Sequence, residues 1–569
     1  MAPSTRPLIE SRYEQMFPTL DPAEIERLRH FGETRTYSVG ERLVTTGEPS
    51  PGMLVVLSGE VTVTQHNVLG RNQPIVTLGP GGFMGELAQL SGQPALVDAQ
   101  ATKPVETLIV PSRRLRDVLV AEAELGERIM RALILRRVGL IEAGGTGPVI
   151  VGTADHGDVL RLAGFLARNG HPHQTLDPGT DSSAKALLER FDIEPSELPI
   201  VLCANGVLLR NPSEVELARC LGLVRPINPN RLYDVAIVGA GPAGLAAAVY
   251  GASEGLSVIV LDCRAFGGQA GASARIENYL GFPTGIGGMP LMARAYNQAQ
   301  KFGAEMAIPD EVVRLQCHTA ADGERFELGL ANDERVSSRA VVIASGAKYR
   351  RLDIANLAEF EGSGVHYWAS RLEGKLCAGQ EVALVGAGNS AGQAVVYLAS
   401  QVAKVCLLAR GGNLEASMSR YLVDRIAALP NVEVLLQAEL CGLEGQGGTL
   451  EAIRWRHLPS GQEMRRTIRH LFLFIGAEPN TAWLSGSDVV LDDKGFVRTG
   501  ADVEQRRGPL HTSRDGVFAI GDVRAGSIKR VAAAVGEGAQ VVAALHVFLA
   551  NGGNHAAQRV VPHGPPGPQ

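Results

Sequence analysis

Three glycines in the segment 239–244 have the spacing of a phosphate-binding turn. The first permits a tight turn, the second lets the backbone approach a pyrophosphate, and the third lets a helix pack closely on the preceding strand. A strand-like run at 234–238 precedes the turn. A second run at 258–261 ends in Asp262, which is placed to accept a hydrogen bond from a ribose 2′-hydroxyl. This order predicts a dinucleotide site whose contacts are Gly239, Gly241, Pro242, Ala243, Gly244 and Asp262.

A second turn of the same kind lies at 386–391, again between two apolar runs. The strand that follows it ends in Ala409 and Arg410, where a site for NAD would place an acid. An arginine there favours the additional 2′-phosphate of NADP, so NADPH is the first choice and NADH stays open. Two dinucleotides in one chain usually mean hydride transfer from nicotinamide to flavin. The predicted contacts of this site are Gly386, Gly388, Asn389, Ser390, Ala391 and Arg410.

The seven cysteines are scattered along the chain and form no CxxC motif. A pair of neighbouring thiols is needed to take reducing equivalents from a flavin and pass them on by thiol–disulfide exchange. An odd, dispersed set is typical of reduced thiols, so we expect a cytoplasmic location and no disulfide framework. The cysteines are Cys203, Cys220, Cys263, Cys317, Cys377, Cys406 and Cys441.

Segments with different periodicities must position these residues. Short strands separated by turn residues fill 35–110 and predict a jelly roll, and a helical stretch follows at 113–141. Residues 148–225 follow the order βαβ–ββα, which is the thioredoxin/glutaredoxin layout. A glycine-rich α/β pattern then runs from 231 to about 550. The tail at 551–569 is rich in glycine and proline and is predicted to be disordered.

Further motifs give residues 232–550 a resemblance to the thioredoxin reductase family of flavoproteins. They are Gly-Gly-Gln at 267–269, Glu-Asn-Tyr-Leu-Gly-Phe-Pro at 277–283, Ala-Ser-Gly-Ala at 344–347, Gly-Ala-Glu-Pro-Asn-Thr at 476–481 and Phe-Ala-Ile-Gly-Asp-Val at 518–523. By this resemblance Asp522 holds the ribityl chain, and Ala532 opens the helix that points at the isoalloxazine. The resemblance also implies a homodimer. The residues that it assigns to the flavin are Gly268, Gln269, Asn278, Gly521, Asp522 and Ala532.

The predicted fold class is a multidomain chain. It combines an N-terminal β jelly roll plus helices, an α/β thioredoxin-like domain, and two Rossmann-like three-layer domains for FAD and NAD(P). The predicted boundaries are 1–145 for the first domain, 148–226 for the second, 231–349 with 473–550 for the FAD domain, 350–472 for the NAD(P) domain, and 551–569 for the tail.

The family's redox disulfide, which is followed by an acid, would fall within 366–372. Here the two cysteine positions hold Trp368 and Arg371 and the acid position holds Leu372, so the dithiol relay cannot run. We hypothesise that the Trp368 indole packs against the isoalloxazine where the disulfide would otherwise lie. The alternative is an ordinary interface aromatic residue. His366 is a candidate proton donor, with a structural histidine as the alternative.

Residues 83–98 resemble the phosphate-binding cassette of cyclic-nucleotide-binding domains. The resemblance places Glu86 on the ribose 2′-hydroxyl. The essential arginine after Pro94 is Ala95 in this chain, and the following serine or threonine position is Asp98. A charge-assisted hydrogen bond contributes about 1.5–3 kcal/mol, and a carboxylate repels a phosphodiester. We therefore predict the fold without tight cyclic-nucleotide binding.

Residues 148–226 resemble a thioredoxin/glutaredoxin domain, with Leu198–Pro199 at the position of that fold's cis-proline. The CxxC expected after the first strand is replaced by Gly-Thr-Ala-Asp-His-Gly at 152–157. We therefore expect that no thiol is available for redox activity in this domain, and that it has a scaffolding or docking role. Cys203, just beyond Pro199, is expected to belong to the core.

The composition of the 569 residues excludes several classes of function. The net charge is −6 and neither sign forms a long block, so we expect no nucleic-acid partner. The segment 1–10 lacks the apolar core of a signal peptide. The apolar stretch at 531–550 is interrupted by Glu537, Gln540 and His546, so we expect no membrane span.

The predicted function is that of an FAD-dependent oxidoreductase in which NAD(P)H reduces FAD by hydride transfer. The electrons then leave to an unidentified acceptor, which is a quinone, a small redox protein, oxygen or a partner disulfide. A rival interpretation is a redox sensor whose inactive front domains relay the state of the flavin or nucleotide to a partner. A third, a cyclic-nucleotide-regulated thioredoxin-disulfide reductase, depends on the altered cassette.

Overall fold

The structure is a computed structural model of the chain. It describes residues 12–66, 72–143, 147–203, 205–224, 226–273, 275–320, 323–369, 371–446, 448–504 and 507–551. The predicted disordered tail, from residue 552 onward, lies outside the described residues. The chain divides into two compact units. The first comprises 1–225, 264–302 and 348–478, and the second comprises 226–263, 303–347 and 479–569.

The first unit begins with two four-stranded sheets in which every pairing is antiparallel. The first sheet has the spatial order Glu33–Tyr37, Val105–Val110, Met53–Ser58, Phe83–Met84, and the second has the order Arg42–Val44, Val97–Ala101, Val61–His66, Asn72–Leu78. Alternate side chains point inward, so Leu54 and Val56 of one sheet share a buried cluster with Val61 and Val63 of the other. The helices of this part are Tyr13–Met16, Pro22–Arg29, Ala88–Ser91, Ser112–Ala121 and Ala123–Ala143.

A mixed four-stranded sheet follows in the same unit. Its spatial order is Gln174–Leu176, Val149–Val151, Ile200–Leu202, Leu208–Arg210; the first pair is parallel and the others are antiparallel. Separate apolar clusters cover its two faces. The Leu198–Pro199 peptide bond is cis. The helices of this part are Gly157–Arg168, Ser182–Phe191 and Glu214–Cys220, with a 3-10 helix at Pro195–Glu197. The relationship to thioredoxins stays a prediction.

The rest of the first unit contains a parallel sheet with the order Val365–His366, His470–Leu473, Glu381–Val385, Lys404–Ala409, Val432–Leu436. The apolar runs at 382–385 and 405–408 are buried, as expected for parallel strands covered on both faces. A separate antiparallel sheet is formed by Ala438–Gln446, Thr449–His457 and Glu463–Thr467. The helices are Gly268–Gly271, Gly288–Lys301, Leu357–Phe360, Arg371–Leu376, Asn389–Ala399 and Arg420–Ala427.

The second unit is built on a seven-stranded sheet. Its order is Glu305–Ala307, Val258–Leu261, Leu232–Val238, Arg335–Ile343, Gly323–Leu330, Val312–Ala320, and Val517–Ala519 pairs with Arg335–Ile343. Its helices are Pro242–Ser253 and Val531–Asn551, with 3-10 helices at Ala482–Leu484, Gly500–Asp502 and Gly521–Val523. Short strands at Ala347–Tyr349 and Ala477–Pro479 lie where the chain passes from one unit to the other.

Among the described residues, one helix, Val531–Ala550, is long and apolar enough to cross a membrane, with a mean hydropathy of 1.5. This is weak support for a span, because core helices of soluble proteins pass the same test. The helix packs closely on Pro242–Ser253: a Cβ at Gly538 would lie 2.6 Å from the carbonyl oxygen of Ala243.

Candidate functional site

The first glycine turn has the geometry of a phosphate cradle. Gly239 has a φ of +114°, and a Cβ on it would lie 2.2 Å from the carbonyl oxygen of Ala344. A Cβ on Gly244 would lie 1.9 Å from the carbonyl oxygen of Gly239, so neither position accepts a side chain. Helix Pro242–Ser253 begins at this turn with Gly241 as its N-cap and without a side-chain cap. Its N-terminus therefore suits an anionic ligand.

Asp262 closes this turn. It follows strand Val258–Leu261, and its Oδ2 accepts a hydrogen bond from the backbone N–H of Ala240 at 2.9 Å. The carboxylate thus stands at the end of the second strand, where the sequence predicted it, and it also fixes the backbone of the glycine turn. Its contact with a ribose stays a prediction.

Glu537 interrupts the apolar helix near the C-terminus. It accepts hydrogen bonds from the 521–524 segment, which includes two of the residues predicted to contact the flavin. The backbone N–H of Gly521 donates to its Oε2 at 2.6 Å, and Arg524 Nη2 donates to its Oε1 at 2.5 Å. Asp522 lies between these two partners, and burial raises the pKa of its carboxyl above the ordinary value. Sequence reasoning missed the role of Glu537, although a lone acid in an apolar helix was the available signal. Ala532 is exposed in the first turn of this helix.

The other residues assigned to the flavin belong to the first unit. Gly268 and Gln269 begin the short helix Gly268–Gly271, after Gly267 with a φ of +100°. Asn278 is exposed in an irregular segment. The role of these three residues at the flavin stays a prediction.

The second glycine turn also forms a cradle. Gly386 has a φ of +151°, and a Cβ on it would lie 2.5 Å from the carbonyl oxygen of Phe474. Helix Asn389–Ala399 follows with Gly388 as its N-cap and no side-chain cap. The Asn389 Oδ1 accepts from the backbone N–H of Ser419 at 2.7 Å. Of the two residues that come next in this helix, Ser390 is exposed and Ala391 is buried.

Arg410 directly follows strand Lys404–Ala409. Its side chain is 72% exposed, and its Nη1 lies 3.9 Å from Glu439 Oε1. A solvated pair of this kind is weak, so the guanidinium is available to a phosphate but is partly offset by the nearby acid.

Trp368 is partly buried and contacts charged side chains of its own unit. Its Nε1 donates to Glu373 Oε1 at 2.8 Å. The Arg168 Cζ lies 3.9 Å from the centroid of the indole, and the Arg264 Cζ lies 5.8 Å from it. Burial, together with the neighbouring Arg264, lowers the pKa of Arg168 to about 10. This is a cation–π arrangement, through which helix Gly157–Arg168 contacts Trp368.

A carboxylate from a third segment completes this cluster. Glu214 Oε1 accepts from Arg264 Nη2 at 2.7 Å, and Asn169 Nδ2 donates to the carbonyl oxygen of Arg264 at 3.2 Å. Glu214 begins helix Glu214–Cys220, which starts with a capping box formed by Ser213 and Glu216. None of these contacts could be predicted from the sequence, because they join residues far apart in the chain.

His366 is buried and pairs with a second histidine. Its Nε2 lies 3.1 Å from His470 Nδ1, and burial, reinforced by His470, lowers its pKa to about 3. A neutral, buried imidazole is a poor acid at neutral pH, so this geometry does not favour the predicted proton donor. Cys377 completes a group of three ligand atoms that all lie within 4.8 Å of one another. Burial raises the pKa of this thiol to about 12.

Two thiols of residues 148–226 lie side by side. Cys203 is buried as predicted, and its Sγ lies 2.6 Å from the Sγ of Cys220, so the end of a strand contacts the end of a helix. The expectation that no thiol is available for redox activity in this domain stays a prediction.

In the cassette-like segment, Glu86 is engaged within the protein. Its Oε2 accepts from Arg137 Nε at 2.7 Å, and both side chains are buried. The Asp98 Oδ1 accepts from the backbone N–H of Thr46 at 2.7 Å. Two of the positions that the resemblance assigns to a cyclic nucleotide thus already have partners.

The fold and the two glycine turns define a class of chain in which two dinucleotide-binding units are combined. Residues 233–538 match the family described as pyridine nucleotide-disulphide oxidoreductase, and the chain belongs to this family. Residues 34–122 match the cyclic nucleotide-binding domain family. The predicted enzyme class and the predicted multidomain combination of these two parts are confirmed.

Similar proteins fall in the same class. The chain is 33% identical over 311 residues to a thioredoxin reductase of Listeria monocytogenes, covering 54% of this chain and 91% of the relative. It is 34% identical over 314 residues to the NADPH-dependent thioredoxin reductase 3 of Arabidopsis thaliana, covering 54% of this chain and 56% of the relative. The crystal structure of T. acidophilum thioredoxin reductase matches with a TM-score of 0.51 at 29% identity, covering 56% of this chain and 100% of that chain.

Proposed function

We propose that the chain is an FAD-dependent NAD(P)H oxidoreductase, built like a thioredoxin reductase but without the dithiol relay of that family. When bound, FAD and NAD(P)H supply hydride transfer from nicotinamide to flavin, followed by electron delivery to an acceptor. The observation that carries the proposal is the pair of glycine turns at Gly239 and Gly386, each too close to a neighbouring carbonyl oxygen to accept a Cβ.

The residues of the first turn fit a pyrophosphate. The absence of a Cβ at Gly239 and Gly244 lets the turn, the helix and the neighbouring strand end pack closely, and the N-terminus of helix Pro242–Ser253 provides positive backbone groups. Asp262 would orient the ribose of the adenosine. Asp522, kept in place by the Gly521–Glu537 hydrogen bond, would hold the ribityl chain.

The residues of the second turn fit a nicotinamide dinucleotide. Arg410 is exposed at the end of the strand that follows the turn, where it can contact a 2′-phosphate. NADPH is therefore the proposed reductant. Because Arg410 is a single basic residue and has an acid nearby, NADH stays open as a second substrate.

The acceptor receives electrons without a protein dithiol at the family position. That position holds Trp368, and the indole carries Arg168 on its face rather than standing open to a substrate. We therefore expect poor turnover with thioredoxin. The acceptor classes that fit are a quinone, a small redox protein, oxygen, or a partner disulfide that docks directly.

A sensor is the second candidate, and the Trp368 cluster favours it. Arg168 belongs to the thioredoxin-like segment, so a change near Trp368 reaches a front domain through a direct contact. We further propose a cytoplasmic location, because the cysteines are odd in number and dispersed, and a homodimer, as the resemblance implies.

Anaerobic titration of the purified full-length protein with NADPH and then NADH tests the proposal. We expect a yellow protein whose flavin absorbance is bleached by a stoichiometric amount of NADPH. The Gly386→Ala variant should stay yellow and resist reduction, whereas Gly412→Ala, where a Cβ meets no atom within 4 Å, should behave like the wild type.

A colourless protein that cannot take up FAD would refute the proposal, as would a flavin that neither nucleotide reduces. Steady-state oxidation of NADPH against a panel of acceptors separates the two candidates. Sustained turnover supports the enzyme. Oxidation of NADPH that stops once the flavin is fully reduced, together with a change of shape in X-ray scattering, supports the sensor.

A further inference from the structure

An apolar pocket lies among the two N-terminal sheets and helix Ala123–Ala143. Its wall is formed largely by hydrocarbon and aromatic side chains, including Phe17, Val63, Ile75, Phe83, Leu96 and Leu140. Such a wall suits an apolar body, and its polar side chains are few: Ser50, Gln65, Glu86, Gln89, Gln93 and Arg136.

One buried cation faces this pocket. Arg136 Nε donates to the carbonyl oxygen of Met16 at 2.7 Å and its Nη1 to that of Gly85 at 2.9 Å. Its Cζ lies 4.5 Å from the Phe83 ring centroid and 5.1 Å from that of Phe17. Its Nη2 is buried and has no hydrogen-bond partner among the described residues. Burial alone lowers the pKa of this guanidinium to about 9.

An unpaired donor on a buried guanidinium is costly, so this position calls for an anion. The anion cannot be Glu86, because that carboxylate is bound to Arg137. The cassette arginine is absent, and Ala95 forms part of the wall instead. The pocket's cation therefore comes from the long helix and not from the cassette.

We propose that this pocket binds a small amphiphilic carboxylate, with Arg136 Nη2 donating to a carboxylate oxygen and the apolar wall covering the hydrocarbon or aromatic body. The ligand class is thus a monocarboxylic acid of acyl or aryl type and not a cyclic nucleotide.

Displacement of the fluorescent anion anilinonaphthalene sulfonate from the full-length protein tests this site. Decanoate should displace the probe at least tenfold more effectively than decanol, which has the same body without the charge. The Arg136→Met variant should abolish that difference, whereas Arg131→Met, an exposed position on the same helix, should keep it.

Equal competition by decanoate and decanol in the wild type would overturn the proposal, and that comparison needs no variant to fold. Displacement by micromolar cyclic AMP in the absence of any effect of decanoate would also overturn it. If the Arg136→Met variant does not fold, the comparison of decanoate with decanol in the wild type still tests the proposal. The Arg136→Lys variant, which keeps the positive charge, should retain the preference for decanoate.

A separate observation concerns Cys203 and Cys220. Both are free thiols, and their sulfur atoms are in direct contact at 2.6 Å. Cys203 is buried at the end of strand Ile200–Leu202, and burial raises the pKa of its thiol. Cys220 is less buried and lines a small pocket that also includes His171 and Asn205.

We infer that these two thiols form a reversible intramolecular disulfide, with a low-molecular-weight disulfide as the oxidant. The Cys220 thiolate attacks one sulfur of the oxidant, the S–S bond of the oxidant breaks, and a mixed disulfide forms while the other half leaves as a thiolate that takes up the proton Cys220 had released. The Cys203 sulfur then attacks the Cys220 Sγ, the S–S bond of the mixed disulfide breaks, and the second half leaves as a thiol with the proton of Cys203. Two protein thiols are oxidised and one disulfide is reduced.

The pair lies on an element that reaches the Trp368 cluster. Cys220 ends the seven-residue helix that Glu214 begins, and Glu214 holds Arg264 near the indole. A bond at one end of this short helix therefore restrains the carboxylate at the other end.

Incubation of the full-length protein with glutathione disulfide, followed by mass spectrometry of peptides, tests the inference. The wild type should give one linked peptide pair containing Cys203 and Cys220. Cys203→Ser should instead retain glutathione on Cys220, and the matched control Cys317→Ser should still form the link. Complete reaction without that link, or a link from Cys220 to any other cysteine, would overturn the inference.

Discussion

Replacing Gly538 by alanine should push apart the two helices that support the first glycine turn. A Cβ at this position would lie 2.6 Å from the carbonyl oxygen of Ala243 and 2.9 Å from the backbone nitrogen of Ala247, well short of the 3.4 Å at which ordinary contact begins. Because both neighbours are backbone atoms of Pro242–Ser253, they cannot rotate away. The helix whose N-terminus is proposed to face the pyrophosphate must therefore shift.

The magnitude follows from two opposing effects. Overpacking against backbone costs about 1–3 kcal/mol, and the higher helix propensity of alanine offsets about 0.5–1 kcal/mol of it. We expect a net loss in the free energy of unfolding of about 1–2 kcal/mol for Gly538→Ala. The control is Gly536→Ala on the same helix, where a Cβ meets nothing within 4 Å. That variant should gain about 0.5–1 kcal/mol, since only the propensity changes.

Thermal unfolding of both variants, followed by the fluorescence of released flavin, measures the effect. Gly538→Ala should melt earlier and release flavin at a lower temperature than the wild type, whereas Gly536→Ala should melt at the same temperature or later. A Gly538→Ala protein that is as stable as Gly536→Ala and retains flavin equally well would refute the close-packing argument.

Three further predictions concern single side chains. Arg168→Met removes the cation over Trp368 and should cost about 1–2 kcal/mol of stability, and the loss should vanish in a Trp368→Leu background when unfolding is compared in a double-mutant cycle. His366 is neutral in the folded protein with a pKa of about 3, whereas an unfolded histidine takes up a proton below about pH 6.5. The free energy of unfolding should therefore fall by about 1.4 kcal/mol for each pH unit below about 6.5. His366→Phe should make the plot of this free energy against pH flatter between about pH 6.5 and 4. Arg410→Gln should raise the KM for NADPH a few-fold, about 1 kcal/mol for an exposed charge, and leave the KM for NADH unchanged.

The local parts of the site could be predicted from the sequence, because they depend on short-range spacing. Gly239 and Gly386 occupy positive-φ turns that follow directly on apolar strands, and both features are visible within a few residues. Asp262 falls at the end of the next strand for the same reason. The sequence alone therefore located both turns and their strands and helices.

The long-range contacts could not be predicted in this way. Glu537 joins Gly521 across 16 positions of the chain, and Arg168 lies on Trp368 across 200. Cys203 and Cys220 were visible as the nearest pair of cysteines, but only the return of the chain through a strand and a helix brings their sulfur atoms together. The order of residue types along the chain does not predict which distant segments the fold brings into contact.

The guanidinium on the face of Trp368 also limits what protein engineering can achieve. Placing cysteines at positions 368 and 371 would supply the atoms of a thioredoxin-type relay, but the Arg168 guanidinium lies 3.9 Å from the centre of the side chain now at 368. A design that keeps helix Gly157–Arg168 unchanged would place the new disulfide next to this cation. Shortening residue 168 to alanine would have to accompany the two cysteines before an external protein could reach them.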